Sequence, residues 1–416
     1  MIYRFSNPEW FEDIEGIKIN KESNIFLWGA GKIGTVVAHV LEQKGYTICG
    51  FVDSDLSKAG TMVYDYCVYS PEEYYKLNKN AITIVSCAFP SVISILEKKG
   101  IKAYSPHSLL LEIDFDGYRG ELTTEFLARL VDHAIRNYAL YYNKSNMIDR
   151  LVVMLTEKCT LKCKNCDAYI PYHCHPKQFS YEEIIHSYNT ILKVCGSIHA
   201  IDLLGGEPLL HPELDLIMKY LILDGRCERI TIISNGTIIP NQKVIECLKN
   251  EKCIFRISDY GKLSKKKDEI ISLLEREQIN YEITNYQYWD EIPRISYQEA
   301  TKEELNLKFA TCTANDLYVK GNIVCCCSFL VGLYGLESNK EMFPKYDSNI
   351  VYLDSGEDSE RDLTHYIRNL HERKAIDACR YCPGSHCLQF GKKVPVAEQA
   401  EGFLPVSELY KNKKGL

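Results

Sequence analysis

Three cysteines spaced C-x3-C-x2-C, Cys159, Cys163 and Cys166, are the side chains of this sequence best placed to do chemistry. Thiolates hold iron–sulfur clusters, and a cubane normally takes four of them. Here Cys159-Thr160-Leu161-Lys162-Cys163-Lys164-Asn165-Cys166 offers three with no near fourth, leaving one iron open to a small molecule. A zinc knuckle, or three incidental buried thiols, would need the same residues, and the spacing alone leaves these readings open. The apolar run Leu151-Val152-Val153-Met154-Leu155 just before them reads as a buried strand. The cysteines therefore fall in a loop at a strand's carboxyl end, where parallel α/β folds gather their functional groups.

Two later segments end strands in the same way. One is Leu203-Leu204-Gly205-Gly206-Glu207-Pro208, the other Ile232-Ile233-Ser234-Asn235-Gly236-Thr237. In this order the three segments resemble the radical S-adenosylmethionine enzyme superfamily. The resemblance implies that Cys159, Cys163 and Cys166 hold a [4Fe-4S] cluster. Its open iron would chelate the amino and carboxylate groups of S-adenosylmethionine, which an electron then cleaves to a 5'-deoxyadenosyl radical. Gly205, Gly206 and Glu207 would meet the methionine amino group, and Ser234 and Asn235 the ribose or carboxylate. The residue before the third cysteine, usually aromatic in that family and packed near the adenine, is Asn165 here. Tyr169 is a candidate to face the adenosine, in a loop whose His173-Cys174-His175 are adjacent and seldom converge on one ion. Arg256, near the end of a later strand, is a candidate partner for a substrate or methionine carboxylate, since guanidinium pairs bidentately. A surface salt bridge is its bland alternative.

A second cysteine set begins at Cys312, continues at Cys325-Cys326-Cys327 and ends at Cys379-Arg380-Tyr381-Cys382, with Cys387 beyond. With Lys320-Gly321-Asn322 as a hairpin turn, it resembles the twitch form of the SPASM-like auxiliary extension of the same superfamily. That resemblance implies one auxiliary [4Fe-4S] cluster on Cys312, Cys326, Cys379 and Cys382. The choice among Cys325, Cys326 and Cys327 stays open, because side chains alternate across a strand and either Cys325 or Cys327 would then face away from Cys326; whether Cys387 also ligates stays open too. Four-thiolate zinc is the competing occupant.

Near the amino end, Gly29-Ala30-Gly31-Lys32-Ile33-Gly34 lies between a strand and a helix pattern, and Asp53 ends the next strand. The glycines allow a tight turn and close phosphate approach, the helix start attracts an anion, and the acid suits ribose hydroxyls. Gly29, Gly31, Gly34 and Asp53 are thus nucleotide-binding candidates. Residues 24–108 also resemble the small Rossmann-like domain of sugar acyltransferases, which implies a nucleotide or nucleotide-sugar ligand. A degenerate domain that binds nothing is the alternative, with NAD third.

The elements that must position these groups alternate strand and helix, which implies α/β architecture with parallel sheets. The expected order is a Rossmann-like domain over 1–110, a helical connector over 111–148, a partial (β/α)6 barrel over 149–300 and a small auxiliary-cluster domain over 301–416. A chain of 416 residues suits two or three domains of ~100–200 residues each. Its net charge of −7 argues against a basic nucleic-acid-binding face. No apolar run reaches the length of a membrane span. With no signal-peptide pattern at the start, the 18 cysteines are expected reduced in the cytoplasm. Cys49, Cys67, Cys87, Cys195, Cys227, Cys247 and Cys253 read as small core hydrophobes.

The function expected is radical oxidation or epimerisation of a nucleotide-linked or phosphorylated sugar in surface-glycan biosynthesis. A flavodoxin- or ferredoxin-type protein would supply the electron. Peptide maturation is the alternative enzyme reading, and an iron–sulfur redox sensor or scaffold the non-enzymatic one.

Overall fold

The computed structural model describes residues 2–5, 20, 22–77, 81–87, 92–120, 123–143, 148–286, 288–291, 297–310, 312, 316–336, 349–353, 357–371, 374–382 and 393–409. Cys387 lies outside them. The chain divides into two compact units, one of residues 1–145 with 371–373, the other of residues 146–370 and 374–416. No helix among the described residues is long and apolar enough to cross a membrane.

The first unit holds β1 (Ile2–Arg4), β2 (Ile25–Trp28), α1 (Lys32–Gln43), β3 (Ile48–Val52), β4 (Met62–Val63), β5 (Tyr66–Tyr69), α2 (Pro71–Leu77), β6 (Ile82–Val85), α3 (Val92–Lys98), β7 (Ala103–Tyr104), α4 (His107–Leu110), β8 (Glu112–Asp114) and α5 (Thr124–Asn143). Its main sheet runs β4-β5-β3-β2-β6-β7, parallel except for the β4–β5 pair. Helix α1 buries Ile33, Val36, Val37, Val40 and Leu41, a helical stripe that packs on Leu27 and Phe51. Helix α5 falls in the stretch expected to be a connector. Its Leu127, Val131, Ala134 and Ile135 are buried in the same core as α1, so it is an integral layer of this unit. Farther along it, the Tyr138 hydroxyl donates to Cys87 O at 2.8 Å.

The second unit holds β9 (Ile148–Met154), α6 (Tyr181–Cys195), β10 (Ile198–Leu204), α7 (Leu214–Asp224), β11 (Cys227–Ser234), α8 (Gln242–Leu248), β12 (Cys253–Asp259), α9 (Lys267–Arg276), β13 (Tyr281–Asn285), β14 (Trp289–Asp290), α10 (Lys302–Ala310), β15 (Leu317–Lys320), β16 (Ile323–Cys325), α11 (Ser328–Leu333), β17 (Val351–Tyr352), α12 (Glu357–His371) and β18 (Lys393–Val394). An eight-stranded sheet runs β13-β12-β11-β10-β9-β15-β16-β17. It is parallel from β13 through β15, and the β15–β16 and β16–β17 pairs are antiparallel.

Strand β9 is central and apolar because both its faces are covered. Leu151 and Val153 face the main core with α6 and α7, while Met154 joins a separate cluster beside α11. Burying each such side chain contributes about 2 kcal/mol. Ser180 starts α6 through a capping box: its hydroxyl accepts from Glu183 N, and its own N–H donates to the Glu183 carboxylate. Strands β15 to β17 come from beyond residue 300 yet extend the same sheet, with β15 paired directly to β9. No break in hydrogen bonding therefore separates the stretch expected as a barrel from that expected as an auxiliary domain. The β15–β16 hairpin turns at Gly321, whose φ of +59° is in the left-handed region. Cys195, Cys227, Cys247 and Cys253 sit in the main core, whereas Cys67 is exposed, against the core reading.

Candidate functional site

The strand ends β9, β10 and β11 converge on one cavity of about 420 Å³. Cys159, Cys163 and Cys166 line it, together with Gly205, Gly206, Ser234 and Asn235. No fourth cysteine and no histidine lines it among the described residues.

Two glycines set the approach of the cysteine loop to β10. Gly206 N donates to Thr156 O at 2.7 Å, and Glu207 N donates to Lys158 O at 2.8 Å. A Cβ on Gly206 would stand 2.1 Å from Lys158 O, and one on Gly205 2.3 Å from Thr156 O. Gly205 also has φ +152°. Both positions therefore exclude any side chain, since real Cβ atoms do not come so close to backbone.

Glu207 stands behind this contact rather than in the cavity. It is fully buried; one carboxylate oxygen accepts from Leu209 N at 3.2 Å and the other from Asn235 N at 2.9 Å. Burial pushes its carboxyl up to about 7 against the pull of these bonds and of the Ser234 hydroxyl. Glu207 thus ties the end of β10 to the end of β11. Asn235 completes the tie: its Nδ2 donates to Thr160 Oγ1 at 3.1 Å and approaches Cys159 Sγ at 3.5 Å.

Burial raises all three cysteine thiols, Cys159 to about 11 and Cys166 to about 12. Without a metal they are held as neutral thiols, and binding one releases protons. Three thiol donors on one cavity, with no fourth among the described residues, fit an iron–sulfur cubane that keeps an open iron. Below the loop Glu157 anchors the same stretch. Its carboxylate takes the Lys320 ammonium at 2.7 Å and Lys177 N at 2.7 Å, and Lys320 also donates to Tyr334 O at 2.7 Å. Lys320 and Glu157 are both essentially buried, so the cysteine loop is pinned to the β15 hairpin.

Two more expected site residues, besides Glu207, lie outside the cavity. Arg256 donates to Glu282 Oε2 at 3.0 Å and lies 3.8 Å from Asp202. With Arg150 and Asp316 these form a charge chain on the sheet, and Arg256 does not line the cavity. Its neighbour two residues on, Ser258, does. Tyr169 is fully buried against Tyr172 and Phe329, with φ +56°, and also stays out of the cavity. The motif on this sheet omitted an aromatic wall of Tyr260, Tyr286 and Trp289; the Tyr260 and Trp289 rings meet edge-on at 5.3 Å. Ser258-Asp259-Tyr260 ends a strand as the other segments do, so that signal was in the sequence. Nothing local marks Trp289.

The second cysteine set also gathers. Cys326 is buried in the main core, and Cys312 and Cys379 pack against the same core. Cys325 and Cys327 fall in the separate cluster beside α11. Burial raises the Cys379 thiol, and Cys326, Cys382 and Cys312 act electrostatically in the same direction. The Tyr169 hydroxyl is buried with no hydrogen-bond partner among the described residues, and Cys382 and Cys327 are among its electrostatic neighbours. An orphaned donor beside gathered thiols fits a sulfur-rich group there. Among the described residues no three His, Cys, Asp or Glu side chains converge on a single metal position.

In the first unit, Asp53 is turned toward the glycine loop. Its Oδ2 accepts from Ala30 N at 2.9 Å and from Lys58 at 3.0 Å, and its Oδ1 accepts from Asp55 N at 2.9 Å. Gly29 and Gly34 serve close packing: a Cβ on Gly34 would lie 2.0 Å from Gly29 O, and one on Gly29 2.7 Å from Cys87 Cβ. Gly31 alone faces open space, at the uncapped start of α1.

No protein-family model matches the chain. It is 33% identical over 91 residues to an S-adenosylmethionine-dependent nucleotide dehydratase of Selenomonas ruminantium, covering 22% of this chain and 31% of that protein. It is 29% identical over 99 residues to a GTP 3',8-cyclase of Microcystis aeruginosa, covering 23% and 30%. The radical S-adenosylmethionine superfamily is supported. The matched segments span less than a third of each of these curated relatives. Among solved structures, BtrN in complex with AdoMet covers 62% of this chain and 97% of its own at 16% identity and a TM-score of 0.33. Streptococcus suis SuiB bound to S-adenosylmethionine covers 46% and 43% at 16% identity and a TM-score of 0.28. Likeness at these scores carries nothing about the site.

Proposed function

We propose that the chain is a radical S-adenosylmethionine enzyme whose second unit forms the partial barrel and the auxiliary-cluster extension. The observation that carries this reading is the single cavity onto which Cys159, Cys163 and Cys166 open beside Gly205, Gly206, Ser234 and Asn235. Cys159, Cys163 and Cys166 would hold a [4Fe-4S] cluster. When bound, that cluster supplies the electron that splits S-adenosylmethionine into methionine and a 5'-deoxyadenosyl radical. Gly205 and Gly206 keep the cavity floor free of side chains. Ser234, Asn235 and Ser258 offer polar groups to the methionine or ribose, and Tyr260 and Trp289 offer apolar faces. Glu207 and Asn235 hold the two strand ends in place. Cys312, Cys326, Cys379 and Cys382 would hold one auxiliary [4Fe-4S] cluster, and a flavodoxin- or ferredoxin-type donor would reduce the first.

For the substrate we infer a nucleotide-linked or phosphorylated sugar, oxidised or epimerised. The named relatives act on nucleotides, as their names state. In the first unit the Gly29–Gly34 loop leaves β2 between β3 and β6, where the strand order reverses, the usual ligand crevice of an open α/β sheet. Because Asp53 is tied to that loop, any ribose contact would fall to other groups. The test is anaerobic incubation of the reduced, reconstituted protein with S-adenosylmethionine and separate panels of nucleotide-sugars, sugar phosphates and peptides. The sugar reading expects 5'-deoxyadenosine to rise with a member of the first two panels; a rise with peptides alone contradicts it.

A further inference from the structure

Residues 396–403 run antiparallel beside the cysteine loop. Cys163 and Gln399 form a bridge pair, Lys164 N donates to Glu398 O at 2.7 Å, and Ala400 N donates to Lys162 O at 2.7 Å. Lys164 also pairs with Glu398, and the Lys162 ammonium lies 4.2 Å from the Phe403 ring centre. Upstream, β18 pairs with β14, which carries Trp289 of the cavity wall. Ala397 is buried against Leu161 and Cys163.

Within this strap Gln399 is fixed at every polar atom the loop can reach. Its Oε1 accepts from Lys162 N at 2.8 Å, and its Nε2 donates to Ala397 O at 2.7 Å and to Cys163 Sγ at 3.2 Å. The amide orientation follows from its partners. A flipped side chain would set N–H against the Lys162 N–H and oxygen against the Ala397 carbonyl. The remaining Nε2–H therefore points at the sulfur.

We propose that Gln399 is a positioning residue for the cluster held by Cys159, Cys163 and Cys166, raising its reduction potential through an N–H···S hydrogen bond to Cys163. The inference rests on the cluster reading above. An N–H dipole aimed at a ligating sulfur stabilises the extra negative charge of the reduced state, and hydrogen bonds to sulfur are among the terms that set such potentials. The backbone contacts at Lys162, Lys164 and Ala400 would hold the strap without this side chain, so its amide is not needed merely to close the loop.

The test compares wild type, Gln399→Leu and Gln399→Met as full chains, reconstituted anaerobically. Iron and sulfide content are measured, and the midpoint potential is followed by the electron-paramagnetic signal that changes when S-adenosylmethionine is added. That signal separates this cluster from an auxiliary one. Gln399→Met keeps the length of the side chain, adds no charge and loses the donor to sulfur, so it serves if Gln399→Leu folds poorly. Phe403→Ala controls for a loosened strap. Both Gln399 variants are expected to load iron as wild type does and to lower the reduction equilibrium about tenfold, ~59 mV for one electron, with Phe403→Ala unchanged. A potential equal to wild type in a loaded Gln399 variant overturns the proposal, as does an equal drop in Phe403→Ala. If wild type gives no signal responsive to S-adenosylmethionine, the cluster reading itself fails, and this inference falls with it.

Discussion

Gly206→Ala is the substitution that most sharply tests how the cysteine loop is held. The added methyl would meet Lys158 O at 2.1 Å, Lys158 C at 2.5 Å and Cys159 Cβ at 2.9 Å. All three belong to one short stretch, two being backbone atoms that no rotamer change can move. Relief requires the loop to back away by about 1 Å, which breaks the 2.8 Å bond from Glu207 N to Lys158 O and displaces Cys159. Overpacking of this kind costs roughly 1–3 kcal/mol, and the lost hydrogen bond adds about 1. The expected total is about 3 kcal/mol. For a unit of this size it lowers the unfolding midpoint by roughly 5–10 °C. Gly225→Ala is the control, because it also replaces a glycine, with φ +77°, but meets nothing within 4 Å. It should cost about 1 kcal/mol from backbone strain and leave the loop in place. The assays are thermal unfolding of the metal-free protein and iron content after anaerobic reconstitution. Gly206→Ala should melt early and load poorly, while Gly225→Ala loads as wild type does. A Gly206→Ala protein with wild-type melting and iron content would refute the close-approach reasoning.

Lys320→Met should destabilise the chain by roughly 3–5 kcal/mol, because it strands the buried Glu157 carboxylate; adding Glu157→Gln should recover part of that loss in chemical denaturation. His173, buried and beside Lys320, has its imidazole pushed down to about 4 from 6.5, so the folded chain keeps it neutral. As the pH falls from 6.5 toward 4 the unfolded chain takes up a proton that the folded chain refuses, and stability drops by about 3 kcal/mol over that window. His173→Gln should flatten this acid limb in a series of melts, and an unchanged limb would contradict it. Cys326→Ser should cut iron from about eight to about four per chain, as four-iron clusters require, whereas Cys325→Ser should leave it near eight. Equal iron in both variants would remove Cys326 from the ligand set.

The strands of the second unit were legible because their apolar runs are continuous and each ends at a distinctive segment. The cysteine triplet, Gly205-Gly206 and Ser234-Asn235 could therefore be placed at strand ends, and the structure brings them to one cavity. What the motif could not convey is direction. Glu207 and Arg256 lie on or beside the same strands, yet Glu207 turns inward to backbone N–H groups and Arg256 sits among carboxylates. Period-two alternation puts Arg256 and Ser258 on one face of the strand, and only Ser258, nearer its carboxyl end, reaches the cavity. Asp53 shows the same limit: an acid at a strand end can hold a ligand or the loop beside it, and Ala30 N and Lys58 claim this one. Gln399 was invisible for another reason. It lies 236 residues from Cys163, and a contact across such a gap leaves no local pattern.

The central claim is that Cys159, Cys163 and Cys166 hold a cubane with one iron left for S-adenosylmethionine. The most direct measurement is 5'-deoxyadenosine released by the anaerobically reconstituted, chemically reduced protein given S-adenosylmethionine alone, set beside Cys163→Ala prepared in the same way. The account predicts slow release from the wild type and none from the variant, with the variant still folded. A folded, colourless wild type carrying zinc at these thiols and releasing no 5'-deoxyadenosine would contradict it.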